Sequence, residues 1–150
     1  MKAGGDTISE EAELIVSEKL MIPTGSVEVT SSGALNSKFI IHAVGPNLND
    51  PAQLGLDRTM LLRFAINNTL DMADRLNCSS ISIPAIATGS FGFPKKKCAK
   101  IMIQCVIDYL NEMGEDASLK YIRFINNDIK TVEAFAESFD NNLLCSNDYQ

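Results

Sequence analysis

Residues 81–94 read Ile-Ser-Ile-Pro-Ala-Ile-Ala-Thr-Gly-Ser-Phe-Gly-Phe-Pro, an apolar strand pattern over 81–86 that runs into a glycine-punctuated turn ahead of a helix. In layered α/β proteins ligands gather at the carboxyl ends of strands, and a glycine turn before a helix offers unpaired N–H groups to an anion. Gly89 and Gly92 permit backbone angles closed to other residues, and Thr88, Ser90, Phe91 and Phe93 stand beside them. Backbone N–H groups with an aromatic face suit a phosphorylated sugar. Spacing leaves a second reading open, a tight turn that needs glycine for geometry alone, because short glycine motifs are weak signals.

Working outward, Cys98, Ile101, Met102, Cys105, Val106 and Tyr109 recur at helical spacing, and Leu119–Ile125 then reads as a strand. Thr131 is a candidate cap for a short closing helix with Val132, Phe135, Ala136 and Phe139 on its inner face. The polar residues 141–150 read as a loose tail, which leaves one domain over 1–140. On the other side, Asp57 can cap a long helix that buries Leu62, Ala65, Ile66, Thr69, Leu70, Ala73 and Leu76 and ends near Asn77. Residues 47–56 carry loop chemistry, 39–44 read as a buried strand closed by Gly45-Pro46, and 26–30 alternate as a half-buried strand. Thr7-Ile-Ser-Glu10 matches a capping box, predicting a helix over 8–20 with Ala12, Ile15, Val16 and Leu20 inward. Strands alternating with helices of this length predict an α/β layered domain with a largely parallel sheet.

Composition narrows the functional classes. A chain of 150 residues suits one domain, and folding at that size buries roughly 70% of the unfolded surface. No apolar run approaches the ~18 residues of a membrane span. The formal net charge of −6 opposes non-specific nucleic-acid binding, which draws on neutralised phosphates, so any anion must be held locally. Cys78, Cys98, Cys105 and Cys145 form no CxxC pair and His42 is alone, which argues against a metal site or a disulfide framework. With no signal-like segment at the amino terminus, a cytoplasmic or nuclear setting is expected.

Other residues offer chemistry beside plainer roles. Lys95, Lys96 and Lys97 place positive charge at a helix amino end, against the macrodipole, which marks either an anion site or a solvated run. His42 reads as a satisfied histidine beside the core. Gly4-Gly5 before Asp6 allows a second phosphate turn or a frayed terminus. Asn126, Asn127 and Asp128 end the last strand, where they form a turn or read a sugar or base.

Together, Phe39-Ile-Ile-His-Ala-Val-Gly-Pro46, Ile83–Pro94 and the closing Lys130-Thr-Val-Glu-Ala-Phe135 resemble the macro domains, modules that bind ADP-ribose and in some members remove it from proteins. The flavour is nearest to the modules found beside eukaryotic ADP-ribosyltransferase domains. The resemblance implies a three-layer fold with a mixed, mostly parallel sheet flanked by helices. It implies that Thr88, Gly89, Ser90, Phe91 and Gly92 wrap a diphosphate, with Phe91 against the distal ribose. Gly4, Gly5 and Asp6 would be the remnant of the family's other phosphate turn, and Ile125 with Asn126 would lie toward adenine and its ribose.

The same resemblance implies two further strands before Ala3, carrying an adenine-recognising aspartate and a catalytic asparagine segment, and neither is found ahead of Ala3. The second of those strands would lie between 39–44 and 81–86. The expectation is therefore a rearranged or complemented sheet and an ADP-ribose-binding module without hydrolase activity, without catalytic residues, cofactor or metal. The implied partners are ADP-ribose or an ADP-ribosylated protein, and a protein that completes the sheet. A structural subunit of a larger assembly and an ADP-ribosyl hydrolase are the alternatives.

Overall fold

The structure, a computed structural model, describes residues 3–19 and 21–146. In chain order it contains α1 (Asp6–Lys19), β1 (Val27–Ser31), β2 (Phe39–Ala43), α2 (Arg58–Arg75), β3 (Ser80–Ile83), α3 (Lys95–Met113), β4 (Tyr121–Phe124) and α4 (Ile129–Ser146). Single 3-10 turns lie at Pro51–Gln53 and Gly114–Asp116.

The central helices follow from cap and stripe. Asp57 accepts from the N–H groups of Thr59 (2.9 Å) and Met60 (3.2 Å), satisfying donors that a helix start leaves open. The apolar stripe of α2 then buries Leu62, Ala65, Ile66, Thr69, Leu70 and Ala73, as its spacing predicts. The α3 stripe buries Cys98, Ile101, Met102, Cys105 and Tyr109, leaving Val106 half-buried. At the far end of this pair, Asp74 accepts from the Tyr109 hydroxyl (2.9 Å) and the Ser118 N–H (2.8 Å). Burial and the Asp74 carboxylate push the Tyr109 phenol up to about 12.

The strands do not form one sheet. β1 pairs antiparallel with β2, Val27 opposite Ala43 and Ser31 opposite Phe39. β3 pairs parallel with β4, Ser80 opposite Tyr121 and Ile83 opposite Phe124. Among the described residues no pairing joins β2 to β3, so the α/β fold carries two two-stranded ribbons, one of them antiparallel. With one edge open, β2 is half-buried rather than buried, and Phe39 is exposed.

The terminal helices depart from expectation. α1 begins at Asp6, so Thr7 lies inside the first turn, where it is exposed, and the capping box does not set the start. Ile8 anchors the helix, Ala12 and Ile15 are half-buried, Val16 is exposed, and Leu20 lies outside the described residues. Glu11 fastens α1 to β1 by accepting from Ser31 N (2.7 Å) and Oγ (2.6 Å), and these bonds lower its carboxyl pKa.

α4 is capped by Asp128 and not by Thr131: Asp128 accepts from Thr131 N (3.0 Å) and Oγ1 (2.6 Å). Starting earlier shifts the inner face to Thr131, Ala134 and Phe135, and leaves Val132, Ala136 and Phe139 exposed. Phe135 meets Phe124 at 4.9 Å between ring centroids. The expected loose tail from 141 is helical through Ser146, while 147–150 lie outside the described residues.

No helix is long and apolar enough to cross a membrane, and no cluster suited to a metal ion occurs among the described residues.

Candidate functional site

β3 ends at Ile83, short of the expected 86, and the next N–H on the β4 side, that of Ala85, is taken by a side chain rather than by the ladder. The chain then folds over itself. The Thr88 hydroxyl donates to Ala85 O (2.9 Å), Phe93 N to Ala87 O (2.9 Å) and Gly92 N to Gly89 O (3.0 Å). Gly92 takes φ +73°, the left-handed region that glycine enters freely. Ala87 takes φ +64°, an angle that costs a residue with a Cβ roughly 1–2 kcal/mol and must be held by its surroundings. Gly89 has no such angle, and a side chain there would meet open space. The two glycines therefore differ: Gly92 shapes the turn, and Gly89 keeps its surface open.

Two flanking segments brace the turn. Asn126, at the end of β4, accepts the Ala85 N–H through Oδ1 (2.9 Å), and Ile125 N continues the ribbon to Ile83 O (3.1 Å). From the other side, Leu48 N donates to Phe91 O (2.9 Å) and Asn49 Nδ2 to Ser90 O (2.9 Å). Gly45 makes the closest approach, since a Cβ there would lie 2.7 Å from Ile86 Cγ2 and 3.0 Å from Ala87 Cβ. These bonds consume the carbonyls of Ser90 and Phe91. The N–H groups of Gly89, Ser90 and Phe91 have no acceptor among the described residues. Phe91 is 38% exposed beside them, whereas Phe93 is buried at 3% and belongs to the core.

The structure thus brings Thr88, Gly89, Ser90, Phe91, Gly92, Ile125 and Asn126 to one end of the β3–β4 ribbon. Gly4, Gly5 and Asp6 do not join them. Gly4 O accepts from Ala34 N (2.9 Å), in the β1–β2 connection that leads into the start of β2. The 85–93 turn packs where β2 ends, so the length of that strand separates the two turns. Gly45, Leu48 and Asn49 brace the site without being singled out by sequence spacing, for Asn49 and Ser90 lie 41 residues apart.

The lysine run is largely the solvated run considered for it, with Lys96 and Lys97 exposed, and it also ties helices together. Lys95 Nζ pairs with Asp128 (2.7 Å) and Lys96 Nζ with Glu137 (2.8 Å), tying α3 to α4, and Lys97 Nζ lies 5.9 Å above the Phe93 ring. The Lys95 ammonium, then the Thr131 hydroxyl, pull the Asp128 carboxyl down to about 2. His42 Nε2 is bonded to Thr30 Oγ1 at 2.9 Å, the satisfied role expected of it. A shallow, largely apolar hollow of about 420 Å³ lies elsewhere, on α1, lined by Ser9, Ala12, Glu13, Val16 and Ser17.

The Macro domain family model matches residues 1–102. This chain belongs to the macro domain family. The macro domain shares 41% identity over 139 residues with an uncharacterised protein of Thermotoga maritima, covering 93% of this chain and 22% of that protein. It shares 33% identity over 138 residues with the mouse protein mono-ADP-ribosyltransferase PARP9, covering 90% of this chain and 16% of that one. The chain therefore spans under a quarter of either relative's length. Among solved structures, the Oceanobacillus iheyensis macrodomain with ADP superposes at TM-score 0.84 with 28% identity, covering 95% of this chain and 73% of that one. A variant of the same protein has been solved with ADPR (TM-score 0.83, 28% identity).

Proposed function

We propose that this macro domain binds ADP-ribose, free or attached to a protein, or a related nucleoside diphosphate, at the 88–92 turn and without hydrolysing it. The observation that carries the reading is the run of acceptor-free N–H groups at Gly89, Ser90 and Phe91, residues whose own carbonyls are already bonded. Such a run presents fixed positive dipole ends to phosphate oxygens, and the chain's negative charge leaves backbone dipoles as the natural means of holding an anion. Phe91 offers an exposed ring to a sugar, and Ile125 offers exposed apolar surface toward a base. The macrodomain of similar fold, solved with ADP, supports the choice of ligand.

The non-hydrolytic part rests on the groups that border the turn. Asp128 is held by Lys95 and Thr131, which weaken it as a base toward a water, and Asp50 Oδ1 caps the 51–53 turn by accepting from Ala52 N. Asn49 Nδ2 and Asn126 Oδ1 are already bonded to the backbone. Calorimetric titration with ADP-ribose tests binding. Heat that saturates in the protein and vanishes in Gly89→Val, with its circular dichroism unchanged, supports the proposal. No heat at millimolar ligand, or unchanged affinity in the variant, rejects it. Release of ADP-ribose from a modified protein would reject the non-hydrolytic part alone.

The separate ribbons favour a second reading, in which the domain serves as a subunit whose sheet is completed in an assembly.

A further inference from the structure

Planarity of the peptide unit decides where the free N–H groups of the turn point. A carbonyl and the N–H of the next residue share one trans plane and face opposite ways, so a bond that holds one aims the other. The Phe91 N–H lies in the plane of Ser90 O, which Asn49 Nδ2 holds at 2.9 Å. The Ser90 N–H lies in the plane of Gly89 O, held by Gly92 N at 3.0 Å. Gly92 N in turn shares its plane with Phe91 O, which Leu48 N holds at 2.9 Å. The donors of Ser90 and Phe91 are therefore aimed by Leu48 and Asn49, which lie outside the turn.

What holds Leu48 and Asn49 lies further along the chain. Gln53 ends the turn Pro51–Gln53 and is buried, at 9% exposure, and a carboxamide so far from water needs partners at both ends. Its Oε1 accepts from Asn47 N (3.0 Å), and its Nε2 donates to Thr24 Oγ1 (3.2 Å) and, at longer range, to Asp50 Oδ2 (3.4 Å). Asn47 Oδ1 accepts from Asn49 N (3.0 Å). One chain of bonds thus runs from Thr24, ahead of β1, through Gln53, Asn47 and Asn49 to Ser90 O. Its far end is firm, because the neighbouring Gly25 donates to Val44 O (2.7 Å) and accepts from Asn68 of α2 (2.8 Å).

We infer that Gln53 is a positioning residue for the anion site: by fixing Asn47 it seats Leu48 and Asn49, whose bonds to Phe91 O and Ser90 O aim the N–H groups of Ser90 and Phe91. The inference deepens the nucleotide reading and rests on it. Neither Gln53 nor Thr24 bonds to the turn itself, so an effect of either on binding passes through 47–49. The Leu48 side chain packs against the core, and Asp50 Oδ1 caps the 51–53 turn, without the help of the Gln53 carboxamide. Loss of that carboxamide should therefore loosen the aim of the loop while leaving the loop in place.

The test compares the whole chain with Gln53→Met, which keeps the length of the side chain and deletes its bonds, by amide hydrogen exchange without ligand and by calorimetric titration with ADP-ribose. Without ligand, the amides of Leu48 and Gly92 should exchange about tenfold faster or more, as locally released amides do, while that of Ile125 holds steady. ADP-ribose should bind about tenfold more weakly, within the range of coupling inside one bonded network. Because the effect passes through Asn49, Gln53→Met combined with Asn49→Ala should lose less affinity than the product of the two single losses, a result that a merely structural role would not give. Thr24→Val, which deletes one hydroxyl, should speed the same two amides, and it carries the test if Gln53→Met fails to fold. Unchanged exchange at Leu48 and Gly92 in the variants overturns the inference. So does acceleration spread equally to Ile125 and the helices, which reports lost stability and not lost aim. Full affinity in Gln53→Met, or losses that multiply in the double variant, overturns it as well. If the unaltered chain gives no heat with ADP-ribose, the nucleotide reading falls on that arm, and the exchange arm still decides whether Gln53 holds the turn.

Discussion

Substituting Gly45 by alanine tests the bracing of the site at its tightest point. The new Cβ would stand 2.7 Å from Ile86 Cγ2 and 3.0 Å from Ala87 Cβ, where carbon atoms ordinarily pack at about 3.5–4.0 Å. Gly45 carries no left-handed angle, so its own backbone accepts alanine and the strain falls on the turn. Relief requires 86–87 to retreat by about 1 Å, and overpacking of this kind costs about 1–3 kcal/mol. Ala87 already holds an unfavourable angle, and it leads directly into the N–H groups of 89–91, so the retreat displaces the donors of the proposed site. A loss of about 1.4 kcal/mol is tenfold in affinity, so ADP-ribose binding should weaken about tenfold or more in Gly45→Ala.

Gly89→Ala is the matched control. A side chain there meets nothing within 4 Å, so folding should be unchanged or gain about 0.4–1 kcal/mol through the unfolded chain. Urea denaturation followed by circular dichroism measures stability, and calorimetric titration measures affinity. The reasoning fails if Gly45→Ala matches the parent in both, or if Gly89→Ala destabilises as much as Gly45→Ala does.

Three further outcomes follow from the same contacts. Asn126→Ala leaves the Ala85 N–H without its acceptor, and should cost about 1–3 kcal/mol in urea denaturation; an unchanged midpoint would show that water replaces the side chain freely. Asp128 has a folded pKa of about 2, below its ordinary 3.8, so the stability it contributes is present above pH 3.8 and is lost as pH falls through about 2. Asp128→Asn should therefore flatten the fall of Tm with acid over that window, and equal slopes in both proteins would contradict the role given to Lys95. Burial pushes the Cys98 thiol up to about 12 and raises Cys105 as well. Iodoacetamide at pH 8 should thus modify the half-buried Cys78 before either, and peptide mass spectrometry showing early labelling of Cys98 would refute its burial.

Much of the helical layer was legible because its cause is local. The α2 and α3 stripes specify their inner faces by period alone, and Asp57 caps where a short acidic side chain precedes such a stripe. α4 was less legible because Asp128 and Thr131 are both good caps, and the choice of Asp128 moved the inward face. Within the site, residues 88–92 announced themselves through glycine and Asn126 through its place at a strand end, but its bond to Ala85 N did not, and Asn49 was not legible at all. A carboxamide that will bond a backbone group 41 residues away looks like any other loop asparagine. Gly4-Gly5 shows the converse error, since a glycine pair reads alike whether it faces a ligand or the carboxyl end of another strand.

By itself the sequence determined the α/β class, the helical faces and the turn at 88–92, because periodicity, capping and glycine act over a few residues. Tertiary structure alone decided that Gly89, Ser90 and Phe91 keep their N–H groups free while their neighbours' carbonyls are bonded. It also decided that β2 and β3 share a helical layer without sharing a hydrogen bond. Both outcomes depend on which distant segment reaches a backbone group first, and that is set by packing across the chain rather than by any local pattern.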